Sequence, residues 1–143
     1  MTLALDTAAE AGAAGEVPIG AVLVDAGGQV IARSGNRVER DGDPTAHAEM
    51  VVLRKAAAQL GVKTLSDCDL HVSLEPCPMC AAAIALARIR RLYFAAFDPK
   101  GGGVEHGPRI FTQPTCHHRP EVYGGIRERE AAALLKEFFQ ERR

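Results

Sequence analysis

The sequence predicts an α/β fold in a single globular domain. Short apolar runs suited to strands alternate with Ala- and Leu-rich stretches suited to helices. The 143 residues suit one domain. A chain of about this size buries roughly 68–70% of the surface its unfolded form exposes, so its core needs no disulfide staples. The content of 47% hydrophobic and 24% charged residues is that of an ordinary globular protein.

Taken in order, residues 2–14 have few breakers and predict a first helix, ended by Gly15. Val17 to Val24 reads as a strand, with Pro18 near its start and Gly20 marking close approach of another group. Asp25-Ala26-Gly27-Gly28 is a turn, and Gln29 to Ser34 completes a hairpin. A polar loop then runs to Pro44. The second helix is expected to begin near Asp43-Pro44-Thr45, with a buried stripe of Ala46, Met50, Leu53, Ala57 and Leu60, and to close at Gly61. Asp69 to Leu74 is the next strand, stopped by Glu75-Pro76. A third helix starts at Cys77-Pro78 and runs through an Ala-rich stretch to Ala87. Leu92 to Ala96 is an apolar strand. Residues 97–120 form a long loop, of a length that is often functional. Glu121-Val122-Tyr123 is a short last strand, and a final helix spans Ile126 to Arg143.

The net charge of −1 gives no global sign of nucleic-acid binding, but it is unevenly spread. Residues 1–87 hold 6 Lys and Arg against 11 Asp and Glu, and residues 88–143 hold 11 against 7. The N-terminal stretch lacks a basic region and an apolar core, so no secretory leader is expected. No apolar run is long enough to span a bilayer. In a chain of this cytoplasmic character, four cysteines, two spaced C-x-x-C, point to metal or redox use before disulfides.

The chemistry concentrates in His47-Ala48-Glu49 and Pro76-Cys77-Pro78-Met79-Cys80. Together these have the form H-x-E…P-C-x-x-C, the pattern of zinc nucleobase deaminases. His47, Cys77 and Cys80 supply three ligands for tetrahedral zinc and leave a fourth position for water. Glu49, next to a ligand but not one itself, is placed to carry the water's proton to the leaving group. Cys77 and Cys80 share one face of a helix's first turn, whose positive end favours thiolates. On an ideal helix His47 and Glu49 point about 200° apart, so they share a target only beyond its N-terminal end. A closed zinc site would need a fourth ligand from Cys68, Cys116, His71, His117 or His118. A redox C-x-x-C would leave His47 without a role.

The sequence resembles the bacterial tRNA-specific adenosine deaminases of the cytidine deaminase-like superfamily. The resemblance covers nearly the whole chain. It runs from Glu16–Val24 through Asn36-Arg37, Asp43–Glu49, Leu74–Cys80, Ala87–Ile89 and Asp98–Gly101 to Leu134–Phe139. It implies a three-layer α/β/α fold with a five-stranded mixed sheet, a single zinc-dependent deaminase domain over residues 1–143, and a cytoplasmic homodimer with one zinc ion per subunit. The implied reaction is hydrolytic deamination of the wobble adenosine to inosine in a tRNA anticodon loop. His47, Cys77 and Cys80 match the zinc ligands and Glu49 the proton shuttle. Asn36 matches a residue that hydrogen-bonds the adenine, Ile19 an apolar wall of the base pocket, and Ala48 a backbone contact to the base edge. Asp98, Lys100, Phe139 and Arg142 lie where relatives contact the anticodon loop. Phe97 stands where some relatives have a polar or basic residue, and the chain ends without the longer basic tail that some carry. Plainer readings stand beside these. Asn36 could cap a strand end, Ile19 could be core, Phe138 and Phe139 could pack the last helix, Asp98 could be a turn residue, and Lys100 and Arg142 could be solvated surface. The alternative function is deamination of a free base or nucleoside (guanine, cytosine or cytidine) by the same zinc chemistry.

Overall fold

The computed structural model describes residues 1–142. A mixed five-stranded sheet organises them, ordered β2-β1-β3-β4-β5. In that order the strands are Val30–Gly35, Gly20–Val24, Asp69–Leu74, Arg91–Ala96 and Glu121–Gly124. The hairpin partner β2 and the strand β3 both run antiparallel to β1, whereas β3, β4 and β5 are mutually parallel.

Strand alternation sorts side chains between the two faces. Ala21, Leu23, Leu70, Val72, Leu92 and Phe94 point into the main core. They meet Val52, Leu53 and Ala56 of α3 (Ala48–Leu60) and Ala81, Ile84 and Ala85 of α4 (Pro78–Leu86). On the other face lie α1 (Thr2–Ala13) and α5 (Glu128–Glu141), where Leu5, Ala95 and Ala131 form a smaller cluster. The expected three-layer α/β/α architecture is therefore present. Gly20 does mark a close approach: a Cβ there would strike the backbone of α1 at Ala4 and Ala8. No helix among the described residues is long and apolar enough to cross a membrane.

Several boundaries differ from the sequence expectation. The first strand starts at Gly20 rather than Val17. The polar loop contains a short helix, α2 (Val38–Asp41), whose first-turn N–H groups of Glu39 and Arg40 donate to the buried Glu16 carboxylate at 3.0 and 2.9 Å. That partner is more than twenty residues away and leaves no local signal. The second long helix begins at Ala48 with His47 as its N-cap residue, not near Asp43–Thr45. Asp43 instead closes a turn of its own, its Oδ1 accepting from the Thr45 N–H and hydroxyl at 2.8 Å. The buried face of α3 is Ala48, Glu49, Val52, Leu53 and Ala56, so the predicted stripe was rotated. Leu60 is exposed, and Met50 and Ala57 edge a groove beside Leu86 of α4. The long loop holds one 3-10 turn, Ile110–Thr112. The last helix runs Glu128–Glu141; the expected end at Arg143 lies outside the described residues.

The topology sets the location of the site. The C-terminal ends of β2, β3 and β4 and the start of β1 lie at one end of the sheet. In open α/β sheets that is where ligands sit.

Candidate metal centre

Two helix N-termini converge at this end of the sheet. His47 caps α3 with extended backbone (φ −66°, ψ 151°). Cys77 caps α4 in the same manner (φ −69°, ψ 170°), followed by Pro78 at the first helical position. An extended N-cap turns its side chain across the helix end. Cys80, one turn into α4, is fully buried. Nδ1 of His47 lies 3.5 Å from Sγ of Cys77 and 3.5 Å from Sγ of Cys80.

These distances fit a metal ion. A tetrahedral zinc with Zn–S near 2.3 Å and Zn–N near 2.0–2.1 Å separates its N and S ligands by about 3.5 Å. All three ligand atoms lie within 4.8 Å of one another, and among the described residues no other His, Cys, Asp or Glu joins them. None of the five candidates for a closing fourth ligand, His117 included, joins the three ligand atoms, and four of them are engaged elsewhere. Cys68 bonds Asp67, Cys116 donates to the His118 carbonyl, His118 bonds the Ile89 carbonyl, and His71 stacks on Tyr93. The closed-site reading therefore lacks its ligand, and a redox pair leaves the close approach of His47 unexplained.

The electrostatics point the same way. The hydrogen bond from the Cys80 thiol, aided by one to His47, holds Cys77 down at about 4, against an opposing push from burial. The same thiol–thiol bond raises Cys80, so the two sulfurs share a proton. The bond to Cys77 raises His47. Thiolate character at the positive end of α4, beside the imidazole at that of α3, is a donor set suited to a divalent zinc-type ion. Glu49 is buried at 4% exposure, and that burial pushes its carboxyl up to about 7. A carboxyl with that pKa both accepts and returns protons near neutral pH.

The expected substrate residues fall into three groups. Asn36, Ile19 and Ala48 are stitched together at the sheet end. The Asn36 side-chain oxygen accepts the Ala48 N–H at 2.9 Å, and the Asn36 N–H donates to the Ile19 carbonyl at 3.1 Å. Asn36 thus secures the start of α3, and its side-chain nitrogen makes no hydrogen bond among the described residues. The bond to Asn36 engages the Ala48 N–H. Ile19 is half-buried and packs against the main core. In the second group, Asp98 does act as a turn residue, its Oδ1 accepting the N–H of Lys100 at 3.3 Å and of Gly101 at 3.0 Å. Lys100 is exposed. The third group lies on α5. Phe138 is buried while Phe139 is 51% exposed, and the two rings meet edge-on. The Arg142 guanidinium lies 3.5 Å over the Phe138 ring and donates to its carbonyl at 3.3 Å.

Sequence reasoning missed one residue of this region. Glu75, read only as a strand stop, is a buried carboxylate that collects N–H groups from the loop after β4. Its position beside Pro76-Cys77 was the available signal.

Comparison with known proteins places this geometry among relatives. The family model of the cytidine and deoxycytidylate deaminase zinc-binding region matches residues 1–96. The chain is 60% identical over 143 residues to a tRNA-specific adenosine deaminase of Agrobacterium fabrum, covering 100% of this chain and 93% of that one. A solved structure from studies of A-to-I editing by tRNA:A34 deaminases at the wobble position of transfer RNA matches with a TM-score of 0.92 at 61% identity, covering 94% and 97% of the two chains. A guanine deaminase from Nitrosomonas europaea matches with a TM-score of 0.83 at 27% identity, covering 96% and 81%.

Proposed function

The chain belongs to the zinc-binding cytidine and deoxycytidylate deaminase family, within its tRNA-specific adenosine deaminases, and from that premise we propose that it hydrolytically deaminates the wobble adenosine of tRNA to inosine. The observation that carries this reading is the extent of the likeness. Identity of 60% runs through all 143 residues, past Ala96 where the shared zinc region ends and into the loop and helix that carry Asp98, Lys100, Phe139 and Arg142.

His47, Cys77 and Cys80 would hold one zinc ion per subunit. Zinc supplies a Lewis acid that can lower the pKa of a water molecule from 15.7 to about 7. The residues of the chain do the rest. Glu49 takes a proton from the attacking water and delivers it to N1 of adenine as oxygen bonds to C6. It then moves the second proton to the amine, and the C6–N bond breaks to release ammonia. Asn36 orients the base with its free side-chain nitrogen, and Ile19 forms an apolar wall. The target adenosine must leave the base stack to reach this depth, at a cost of a few kcal/mol that is smaller in a loop than in a duplex. Asp98, Lys100, Phe139 and Arg142 form the rim for the anticodon stem-loop.

The protein acts in this reading as one deaminase domain over residues 1–143, in the cytoplasm and as a homodimer. The outer side of α4 supports the dimer: Leu86 is 79% exposed, beside half-buried Met79, Ala82 and Ala83. Leu86→Lys should convert dimer to monomer in sedimentation, and an unchanged dimer would move the interface elsewhere.

The deciding assay measures inosine in an anticodon stem-loop with adenosine at the wobble position, with free guanine, cytosine, cytidine and adenosine in parallel. Inosine in the stem-loop alone is expected. An untouched stem-loop with a deaminated free base would replace this reading with a small-substrate deaminase.

A further inference from the structure

We propose that Glu75 is a positioning residue, one carboxylate that locks the loop after β4 onto the start of the metal-binding helix and so sets how that loop meets RNA. The proposal rests on the reading above in one respect, that Asp98 and Lys100 face the anticodon loop.

Glu75 is the residue after β3 and stands two before Cys77. Its side chain has no exposed surface. One oxygen accepts the Asp98 N–H at 3.0 Å and Nδ1 of His106 at 2.8 Å. The other accepts three successive backbone N–H groups, from Val104 at 3.2 Å, Glu105 at 3.0 Å and His106 at 3.1 Å. A carboxylate offers about four lone-pair sites, so these donors saturate it. Both ends of the segment from Asp98 to His106 are thereby held by a single anion.

The segment is also laid directly on the metal-binding helix. The Gly103 N–H donates to the Pro76 carbonyl at 2.8 Å. A Cβ at Gly103 would come within 2.6 Å of the Pro78 nitrogen and Cα, and one at Gly102 would overlap the Glu75 carboxylate. Only Gly permits backbone that close to another backbone. Within the loop, the Gly102 N–H donates to the Asp98 carbonyl at 2.9 Å, and the Asp98 side chain closes the Lys100 turn. Among residues 98–106 the one buried apolar side chain is Val104. Packing alone therefore does little to fix the segment, and hydrogen bonds to Glu75 do most of it.

Every group around the Glu75 carboxylate donates a hydrogen bond, which favours the anion and gives it no proton to pass on. Its effect must run through the loop. Removing it should loosen Asp98 and Lys100 while leaving His47, Cys77, Cys80 and Glu49 in place.

The test uses full-length, zinc-loaded protein carrying Glu75→Gln, with His106→Ala as a milder variant that removes a single donor. Hydrogen exchange should quicken in residues 98–106 and stay unchanged in α4, a readout that requires no substrate. On the wobble stem-loop, KM should rise about tenfold with kcat nearly unchanged, since the amide keeps one acceptor oxygen and turns an NH2 group toward N–H groups that had bonded the other. His106→Ala should shift both readouts in the same direction by less. In a Lys100→Ala background, Glu75→Gln should raise KM by less than it does alone. Lost zinc, a fall in kcat at constant KM, or unchanged exchange in the loop would each overturn the proposal. If Glu75→Gln does not fold, His106→Ala decides by the same criteria. A wild-type protein inactive on the stem-loop would overturn the function reading, and the exchange result would still judge the loop.

Discussion

Two buried glutamates flank the metal centre, Glu49 two residues after His47 and Glu75 two residues before Cys77, and their surroundings make opposite acids of them. Burial dominates at Glu49 and pushes its carboxyl up to about 7. Burial also pushes Glu75 up, but the N–H of Asp98, the His106 ring and the N–H groups of Glu105 and Val104 outweigh it and hold it below the usual carboxylate range. The lesson is that depth alone does not set the role of an acid. A buried carboxyl short of donors is pushed toward its neutral form, and one surrounded by donors is held as an anion.

The comparison can be broken most severely by removing the metal. A chelator should abolish inosine formation and zinc should restore it, while exchange in residues 98–106 stays slow because Glu75 holds them independently. Rapid exchange there in chelated protein would merge the two neighbourhoods into one unit. Next in size, Glu49→Gln should lower kcat by about 10²–10⁴-fold, the range for a lost general acid–base. Zinc content measured on the same sample should stay at one per chain. Near-normal turnover would remove Glu49 from the reaction. Glu75→Gln, with its roughly tenfold rise in KM, is the middle case, and the contrast of kcat loss with KM loss is the sharpest form of the comparison. Asn36→Ala should be the smallest in stability, costing about 1–3 kcal/mol in a denaturant melt, since it leaves the Ala48 N–H unpaired. Its turnover should also fall, because the base loses a donor. Unchanged melting would show that the start of α3 is held by other means.

Much of this was legible in the sequence where the signal is local. The strand Asp69–Leu74 and the start of α4 at Pro78 were read correctly from an apolar run, a Pro stop and a Pro at a first helical position. The ligand set follows from residue types and spacing, and the close backbone approach at Gly20 from a glycine inside a strand pattern. What escaped depends on partners far along the chain. The helix α2 exists because Glu16 meets its N–H groups, and the loop after β4 because Glu75 does. The start of α3 was misjudged because Asp43 and Thr45 carry the residue types of a helix cap but spend them on a local turn. Of the two phenylalanines near the chain end, periodicity alone did not separate the buried Phe138 from the exposed Phe139.

The division of the ligands between two helix ends also makes the cost of bringing them together unequal. Cys77 and Cys80 are three residues apart on one turn, whereas His47 lies thirty residues upstream of Cys77. Closing the longer span costs about 2 kcal/mol more in chain entropy on loop length alone. The thiols can therefore come together while the polypeptide is still disordered, and the imidazole joins them once β1, β2 and α3 have docked. In a chain leaving the ribosome His47 emerges first and must wait for its partners. The tertiary structure thus acts as a checkpoint: the centre is complete only in a molecule whose first half has already folded onto its second.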